Sequence, residues 1–597
     1  MNHNNLNSIY ETNQIGGKKY PKISDDNFYD KINDVYKKFK ITKNRSFESI
    51  CFPKEYELQL PQQFMSEYMN PDTPYKSVLI YHRIGAGKSC TAIRIAESWR
   101  EKRNIIIVLP ASLKGNFRDE LRSLCAENNY LTKSERNKLL DLYPASKEYK
   151  EIIATSDKRI DKYYKIYSYN KFIELAQNDD ISLRNSILII DEIQNMVSED
   201  GSYYKTLYEL INNAPDELRI VLLSATPMFD KPGEIALTMN LLKIPNELPV
   251  GAEFDKKFIK TFKKNGIIHQ ETKNLEYFKN AIKGYVSYFR GAPPYVFPEL
   301  YIKYVKCEMS EFQYKAYTDV MKNDNADFSS YKRVLTSKEL ALKSLNVRNL
   351  PNDFFIGTRV VSNVVFPNRK IGEDGFVSFK KKKILDNLEM YSTKFNKMMI
   401  KIQKSRGKVF VYSGFKEYGG IKSFTCVLNA FGYKNYAEHG PGIKRYAIWS
   451  GDENMNYKNE IKAVYNGTNN LKGKYIKILL GSPSIKEGVS LKGVRQVHVL
   501  EPYWNQSRLD QIIGRASRFC SHMDLTEEER IVKVYIYIAT SNNNEEKTVD
   551  EYIHHLAAQK NKLIREFETA IKEASVDCEL NKKANVYAGE DKINCDN

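Results

Sequence analysis

Short apolar runs, each closed by loop-forming residues, recur in two stretches of this chain. In the first stretch they fall at 78–81, 104–109, 187–190 and 220–223, and each ends at a loop rich in Gly, Pro, Ser or Asp. In the second they fall at 408–412, 446–449, 476–480, 497–500 and 532–538. Short runs with little polar alternation predict strands buried on both faces, as in a parallel sheet covered by helices. The fold class is therefore expected to be α/β, with two parallel-sheet domains. Near the N-terminus Phe28, Ile32, Val35, Tyr36 and Phe39 keep close to a helical period. Ile553, Leu556, Leu563, Ile564, Phe567 and Ile571 do so in a C-terminal helical segment. Between the two strand series the pattern loosens, and Gly291-Ala292-Pro293-Pro294 separates helical pieces. The expected organisation is a tail and helix at 1–44, disordered to about residue 20, and a first domain at 45–250. An inserted bridging region at 251–384, a second domain at 385–545 and a helical segment at 546–597 complete it.

Composition changes this picture in a few ways. A chain of 597 residues exceeds one ordinary core, and a hydrophobic fraction of 42% excludes global disorder. The formal charge of +18 suits a polyanionic partner. Eight scattered cysteines without C-x-x-C spacing argue against a zinc ribbon or a disulfide scaffold and fit a reducing compartment. No uninterrupted apolar run approaches the roughly 20 residues of a membrane helix, so no membrane partner is expected.

The candidate chemistry sits at strand ends. His82-Arg83-Ile84-Gly85-Ala86-Gly87-Lys88-Ser89 lies between the run at 78–81 and a predicted helix. Gly85 and Gly87 let backbone N–H groups approach an anion, and the helix N-terminus adds partial positive charge. Lys88 is expected to hold the β- and γ-phosphates of ATP, and Ser89 to bind Mg²⁺. A strict phosphate loop begins with Gly, where this chain has His82. Asp191 and Glu192 end the apolar run at 187–190. The first carboxylate suits Mg²⁺, and the second suits an attacking water. Ser224-Ala225-Thr226-Pro227, at the next strand end, is expected to couple nucleotide state to the rest of the protein. Gln511-Ile512-Ile513-Gly514-Arg515-Ala516-Ser517-Arg518 has arginine-finger spacing. Arg515 and Arg518, three apart at the start of a predicted helix, are expected to share one face and reach the phosphates from the second domain. Tyr503-Trp504 reads as a core or interface pair.

These elements, in this order, resemble the superfamily 2 helicases and translocases. Gln62 in Leu60-Pro61-Gln62-Gln63-Phe64 resembles the glutamine that reads adenine. Leu109-Pro110-Ala111-Ser112-Leu113 resembles a nucleic-acid-contact motif, and Gly481-Ser482-Pro483 through Glu487-Gly488-Val489-Ser490 resembles the fifth motif, adding Gly488 to the nucleotide contacts. Tyr391-Ser392-Thr393-Lys394-Phe395 and Tyr412-Ser413-Gly414 are similar to the helicase-like transcription ATPases of large cytoplasmic DNA viruses. Motif II reads Asp191-Glu192-Ile193-Gln194, where His is usual at the last position. The resemblance implies two RecA-like domains with ATP in the cleft, and catalysis by Lys88, Asp191, Glu192, Gln511, Arg515 and Arg518. It implies a motor on DNA in viral early transcription, with a viral RNA polymerase or larger transcription-factor subunit as partner. Virion and host cytoplasm are the implied locations. An RNA-unwinding helicase and a non-catalytic promoter-binding subunit are the alternatives.

Overall fold

The computed structural model describes residues 14–15, 18–43, 45–83, 85–143, 146–198, 201–264, 267–323, 356–370, 372–486, 489–541, 547–586 and 592–596. Ile84, Gly488, most of the expected tail and residues 324–355 of the expected bridging region lie outside them. Gln14–Ile15 and Lys18–Lys19 form a small antiparallel pair where a disordered tail was expected. From Tyr20 the chain is anchored: that ring is buried in an aromatic cluster, and the Tyr75 hydroxyl donates to Pro21 O at 3.0 Å.

The chain forms two compact units. One comprises residues 1–260, 271–293 and 563–597, and the other 261–270 and 294–562. The first carries a six-stranded sheet of β1 (Ser77–His82), β2 (Asn104–Leu109), β3 (Tyr164–Ser168), β4 (Ser186–Ile190), β5 (Arg219–Ser224) and β6 (Val286–Phe289). Their order is β6-β1-β5-β4-β2-β3, and every pairing is parallel. The apolar runs are continuous because both faces are covered. Leu79, Leu188, Ile190, Ile220 and Leu222 enter one core, while Val78, Ile80, Ile187, Ile189, Val221 and Leu223 enter the other. Period-two alternation assigns each side chain to its face.

The second unit repeats this plan with β7 (Glu299–Glu308), β8 (Lys408–Tyr412), β9 (Lys434–Asn435), β10 (Arg445–Trp449), β11 (Ile478–Gly481), β12 (Val494–Val499) and β13 (Ile531–Thr540). The order is β7-β13-β12-β8-β11-β10-β9, again all parallel. Val409, Val411, Ile478 and Leu480 face one core, and Phe410, Tyr412, Leu479 and Val497 the other.

The candidate residues fall on α1 (Lys88–Trp99) in the first unit and α2 (Gln506–Ala516) in the second, and a long helix, α3 (Val549–Glu573), follows. In α3 the expected apolar stripe is present, and Ile564, Phe567 and Ile571 fill a core of the first unit. After α3 comes α4 (Cys578–Asn585), which packs on β6. Thus residues 271–293 and 563–597, read from sequence as parts of other regions, belong with the first unit. Among the described residues, no helix is long and apolar enough to cross a membrane.

The cysteine reading is corrected. Cys90–Cys125 and Cys578–Cys595 are disulfides, with Cα atoms 5.5 and 5.6 Å apart. Partners separated by 35 and 17 residues leave no local spacing signal.

One local feature carries a pH prediction. The helix Lys133–Asp141 begins with a capping box in which Thr132 Oγ1 accepts from Glu135 N and the Glu135 carboxylate accepts from Thr132 N. Arg159 grips the same carboxylate with two bonds, of 2.7 and 2.9 Å. That guanidinium first, and Thr132 after it, hold Glu135 down at about 2. A lowered carboxyl contributes its stability above the unfolded value of about 4.3, and loses it as pH falls towards the folded value. Glu135→Gln is expected to lower the unfolding free energy at pH 7, read from urea titration, by no more than about 1 kcal/mol for a pair that solvent still reaches. The gap from wild type should close between about pH 4 and 2.

Candidate active site

The phosphate loop leaves β1 at His82 and enters α1 at Lys88. Gly85 and Gly87 have φ of 85° and 75°, left-handed values that favour glycine. At Gly87 a Cβ would also lie 2.4 Å from Gln62 Nε2. The Gln62 amide closes a capping box by accepting from Gln59 N at 2.9 Å, and donates to Gly87 O at 3.3 Å. The expected adenine reader is therefore tied to the loop itself.

Beneath the loop stands a chain of polar contacts across three strand ends. Lys88 Nζ lies 3.2 Å from Glu192 Oε1. Glu192 Oε2 accepts from Gln194 Nε2 at 2.6 Å, and Gln194 Oε1 accepts from Ser224 Oγ at 2.7 Å. Ser224 Oγ in turn accepts from Thr226 N at 3.0 Å. Gln194 thus joins the motif II carboxylate to Ser224-Ala225-Thr226, using both ends of its amide where His is usual. Glu192 has φ of 50°, a strained value for a non-glycine residue. Tyr169 holds that bend, its hydroxyl donating to Asp191 O at 2.6 Å and Glu192 O at 3.0 Å. No sequence pattern singled out Tyr169.

Asp191 is buried, and one of its oxygens accepts from Glu192 N at 2.9 Å. Burial, then the neighbouring Glu192 charge, raise its carboxyl above the usual range, with Lys88 opposing. A carboxylate so placed is stabilised by an added cation. The donor set fits Mg²⁺: Asp191 and Ser89 offer oxygen ligands, and magnesium prefers oxygen. The loop fits a phosphate chain, since glycines stand where its backbone bends and Lys88 follows at the helix start.

His82, grouped with the nucleotide contacts on sequence, is corrected. Its ring is fully buried and lies 3.0 Å from Ser287 Oγ through Nε2, so it does not line the loop. Burial, with Lys88 adding to it, lowers it to about 3, and the ring is neutral. Arg83 is exposed, and its backbone N–H donates to Phe289 O at 3.1 Å.

In the second unit, Asn505 caps α2 by accepting from Arg508 N at 3.0 Å. This cap sets the helix start at Gln506, earlier than expected. Arg515 therefore falls in the last turn and Arg518 beyond the helix end, so they do not share one helical face. Arg515 is buried with Nη1 3.4 Å from Val489 O, while Arg518 Nε donates to Gly514 O at 3.2 Å. Gln511 is half-buried on α2. The motif around Lys394 acquires a structural reason: its ammonium pairs with Asp550 at 2.6 Å, both side chains 1% exposed, and donates to Asn363 Oδ1 at 2.8 Å. Trp504 packs on Val549 and Ile553, in agreement with a core role.

Comparison with known proteins decides the family. Residues 62–235 match the DEAD/DEAH box helicase family, and 393–520 match the helicase conserved C-terminal domain. A protein of Acanthamoeba polyphaga mimivirus named as an ATP-dependent RNA helicase is 51% identical over 97% of this chain and 99% of its own length. This chain belongs to the superfamily 2 helicases. A second mimivirus helicase of the same description is 28% identical over 93% of the chain and 78% of its own length. A termination factor NPH-I homologue of African swine fever virus is 27% identical over 85% of the chain and 77% of its own length. Membership of the superfamily 2 helicases carries ATP-dependent, helicase-type action on nucleic acid.

Proposed function

We propose that this helicase is a nucleic-acid-stimulated ATPase that translocates on DNA during viral early transcription, in initiation or termination. The observation that carries the reading is the unbroken path Lys88–Glu192–Gln194–Ser224, which ties the phosphate-binding lysine and the water-positioning carboxylate to the coupling motif. In this reading Lys88 and the loop backbone orient the phosphates, and Ser89 and Asp191 hold Mg²⁺. Bound Mg²⁺ supplies neutralising charge on the β- and γ-phosphate oxygens. Glu192 accepts a proton from, or orients, the attacking water. Because Gln194 grips the other oxygen of Glu192, a change at the γ-phosphate that moves Glu192 also moves Ser224. Arg515 and Arg518 complete the site from the second domain, with Gln511, Arg83 and Gly488 as further nucleotide contacts. The two-domain motor then converts each hydrolysis into a step along the track.

A viral polymerase or a larger transcription-factor subunit is the proposed protein partner, and virion and host cytoplasm the proposed location. The NPH-I-type relatives support the transcriptional role. RNA as the track is the second reading, favoured by the name of the 51% identical relative. The non-catalytic reading is disfavoured by the intact Lys88 and Glu192. Steady-state ATP hydrolysis alone and with single-stranded DNA, duplex DNA or RNA tests the proposal. Stimulation by DNA is expected. Stimulation by RNA alone would transfer the reading to the RNA helicase, and absence of hydrolysis under every condition would overturn the motor.

A further inference from the structure

β6 is an edge strand of the first sheet, and it carries the base of the phosphate loop. Phe289 pairs with His82 in register, Arg83 N donates to Phe289 O, and Gly291 packs against Ala86. A Cβ at Gly291, where φ is 108°, would lie 2.8 Å from the Ala86 Cβ, so loop and post-strand turn are in close contact. What fixes β6 on its outer side is a piece of chain almost 300 residues away in sequence. Val576 N donates to Val286 O at 2.8 Å. Asp577 accepts from Ser287 Oγ at 2.6 Å and from Tyr288 N at 2.9 Å. Asn581 and Asn585 donate to Tyr288 O at 3.3 and 3.2 Å, and Asn585 Oδ1 accepts from Arg290 N at 2.9 Å. Side chains of Asp577 and α4 here do the work of a neighbouring strand, satisfying edge groups that a parallel partner would otherwise take.

The side-chain path continues inward to the loop. The Ser287 hydroxyl has one proton and donates it to Asp577, so towards His82 it acts as acceptor. His82 therefore carries its proton on Nε2, and its ring orientation is set by Ser287 and, through it, by Asp577. All three side chains are fully buried.

We infer that Asp577, Asn581 and Asn585 are positioning residues for the phosphate loop, acting through Ser287–His82 on one branch and Arg290–Gly291–Ala86 on the other. The C-terminal segment is thereby part of the ATP-holding machinery, and Ala584 of α4 shares an apolar cluster with Ala86 and Phe289. The inference rests on the ATP reading for its functional consequence but not for its structural one.

The experiment uses the full chain with Ser287→Ala, Asn585→Ala and, as control on the exposed face of α4, Lys582→Ala. Hydrogen exchange of the 82–90 segment and KM for ATP are both read. With either branch cut, exchange in 82–90 is expected to quicken and KM to rise about 5- to 10-fold, the loss of roughly one net hydrogen bond. The value of kcat is expected to stay within about threefold, because the contact is made equally in ground and transition states. Peptides from β4 and β5 should exchange as in wild type, which separates loop release from general unfolding. Unchanged 82–90 exchange in both Ser287→Ala and Asn585→Ala would overturn the relay, whatever the nucleotide does. A rise equal to that of Lys582→Ala would overturn it too. If wild type fails to bind ATP, the ATPase reading falls alone, and the exchange data still decide the relay.

Discussion

Lys88→Ala is expected to reduce ATP hydrolysis by about a thousandfold or more, the scale of losing a charge aimed at a developing phosphoryl anion. The structure gives two reasons for so large an effect. The Lys88 side chain is only 10% exposed, so its charge acts with little screening from solvent. It also stands 3.2 Å from Glu192 Oε1, and it opposes the effect of the Glu192 charge on Asp191, a counterweight the variant removes. Like charges in a buried site raise one another's proton affinity. The variant should therefore lose phosphate binding and also leave Glu192 more readily protonated in the ground state, where it can no longer take a proton from water. Phosphate release at saturating ATP and stimulating nucleic acid is the measurement, and turnover within tenfold of wild type would remove Lys88 from the site.

Glu192→Gln is expected to separate binding from turnover. The substitution keeps volume, and a glutamine carbonyl can still accept from Gln194 Nε2, so the path to Ser224 survives. What disappears is the negative charge that orients or deprotonates water, a contribution of about 10²- to 10⁴-fold. The affinity for ATP, read with a fluorescent analogue, should stay within a few fold, while kcat falls by that factor. Loss of nucleotide binding together with turnover would show that Glu192 holds the loop through Lys88 rather than the water.

Much of the fold is legible in the hydrophobic pattern. Strands such as β1, β4 and β5 are buried on both faces, and a short unbroken apolar run between loops suits little else. The edge strands escaped for the opposite reason. In β3 only Tyr164 is buried, and in β7 the first six residues are exposed, so neither shows a continuous run. β6 is fully buried, yet lies so far along the chain that it read as part of a separate region. The candidate residues at strand ends stood out in the sequence because Gly, Lys, Ser, Asp and Glu there have few structural uses. The reach of α2 was misjudged because Asn505 caps it nearly two turns before the arginine motif begins. The disulfides and the roles of Gln194, Ser287 and Asp577 depend on contacts over 17 to 290 residues, which spacing does not encode.

The division of the first unit among 1–260, 271–293 and 563–597 has a consequence for how the protein is made. Residues 294–562 must leave the ribosome before the chain that seals β6 and fills the core with Phe567 and Ile571 exists. At about 5–20 residues per second, that interval lasts roughly 15–50 s. During it the ATP-holding sheet has an open edge and an unfilled core while the second unit is being made, and that unit is whole before residues 563–597 follow. The nascent chain thus completes its second domain before its first. The order of synthesis makes the nucleotide site competent only after the second unit, and leaves the unsealed sheet as the stage at which a chaperone has most to bind.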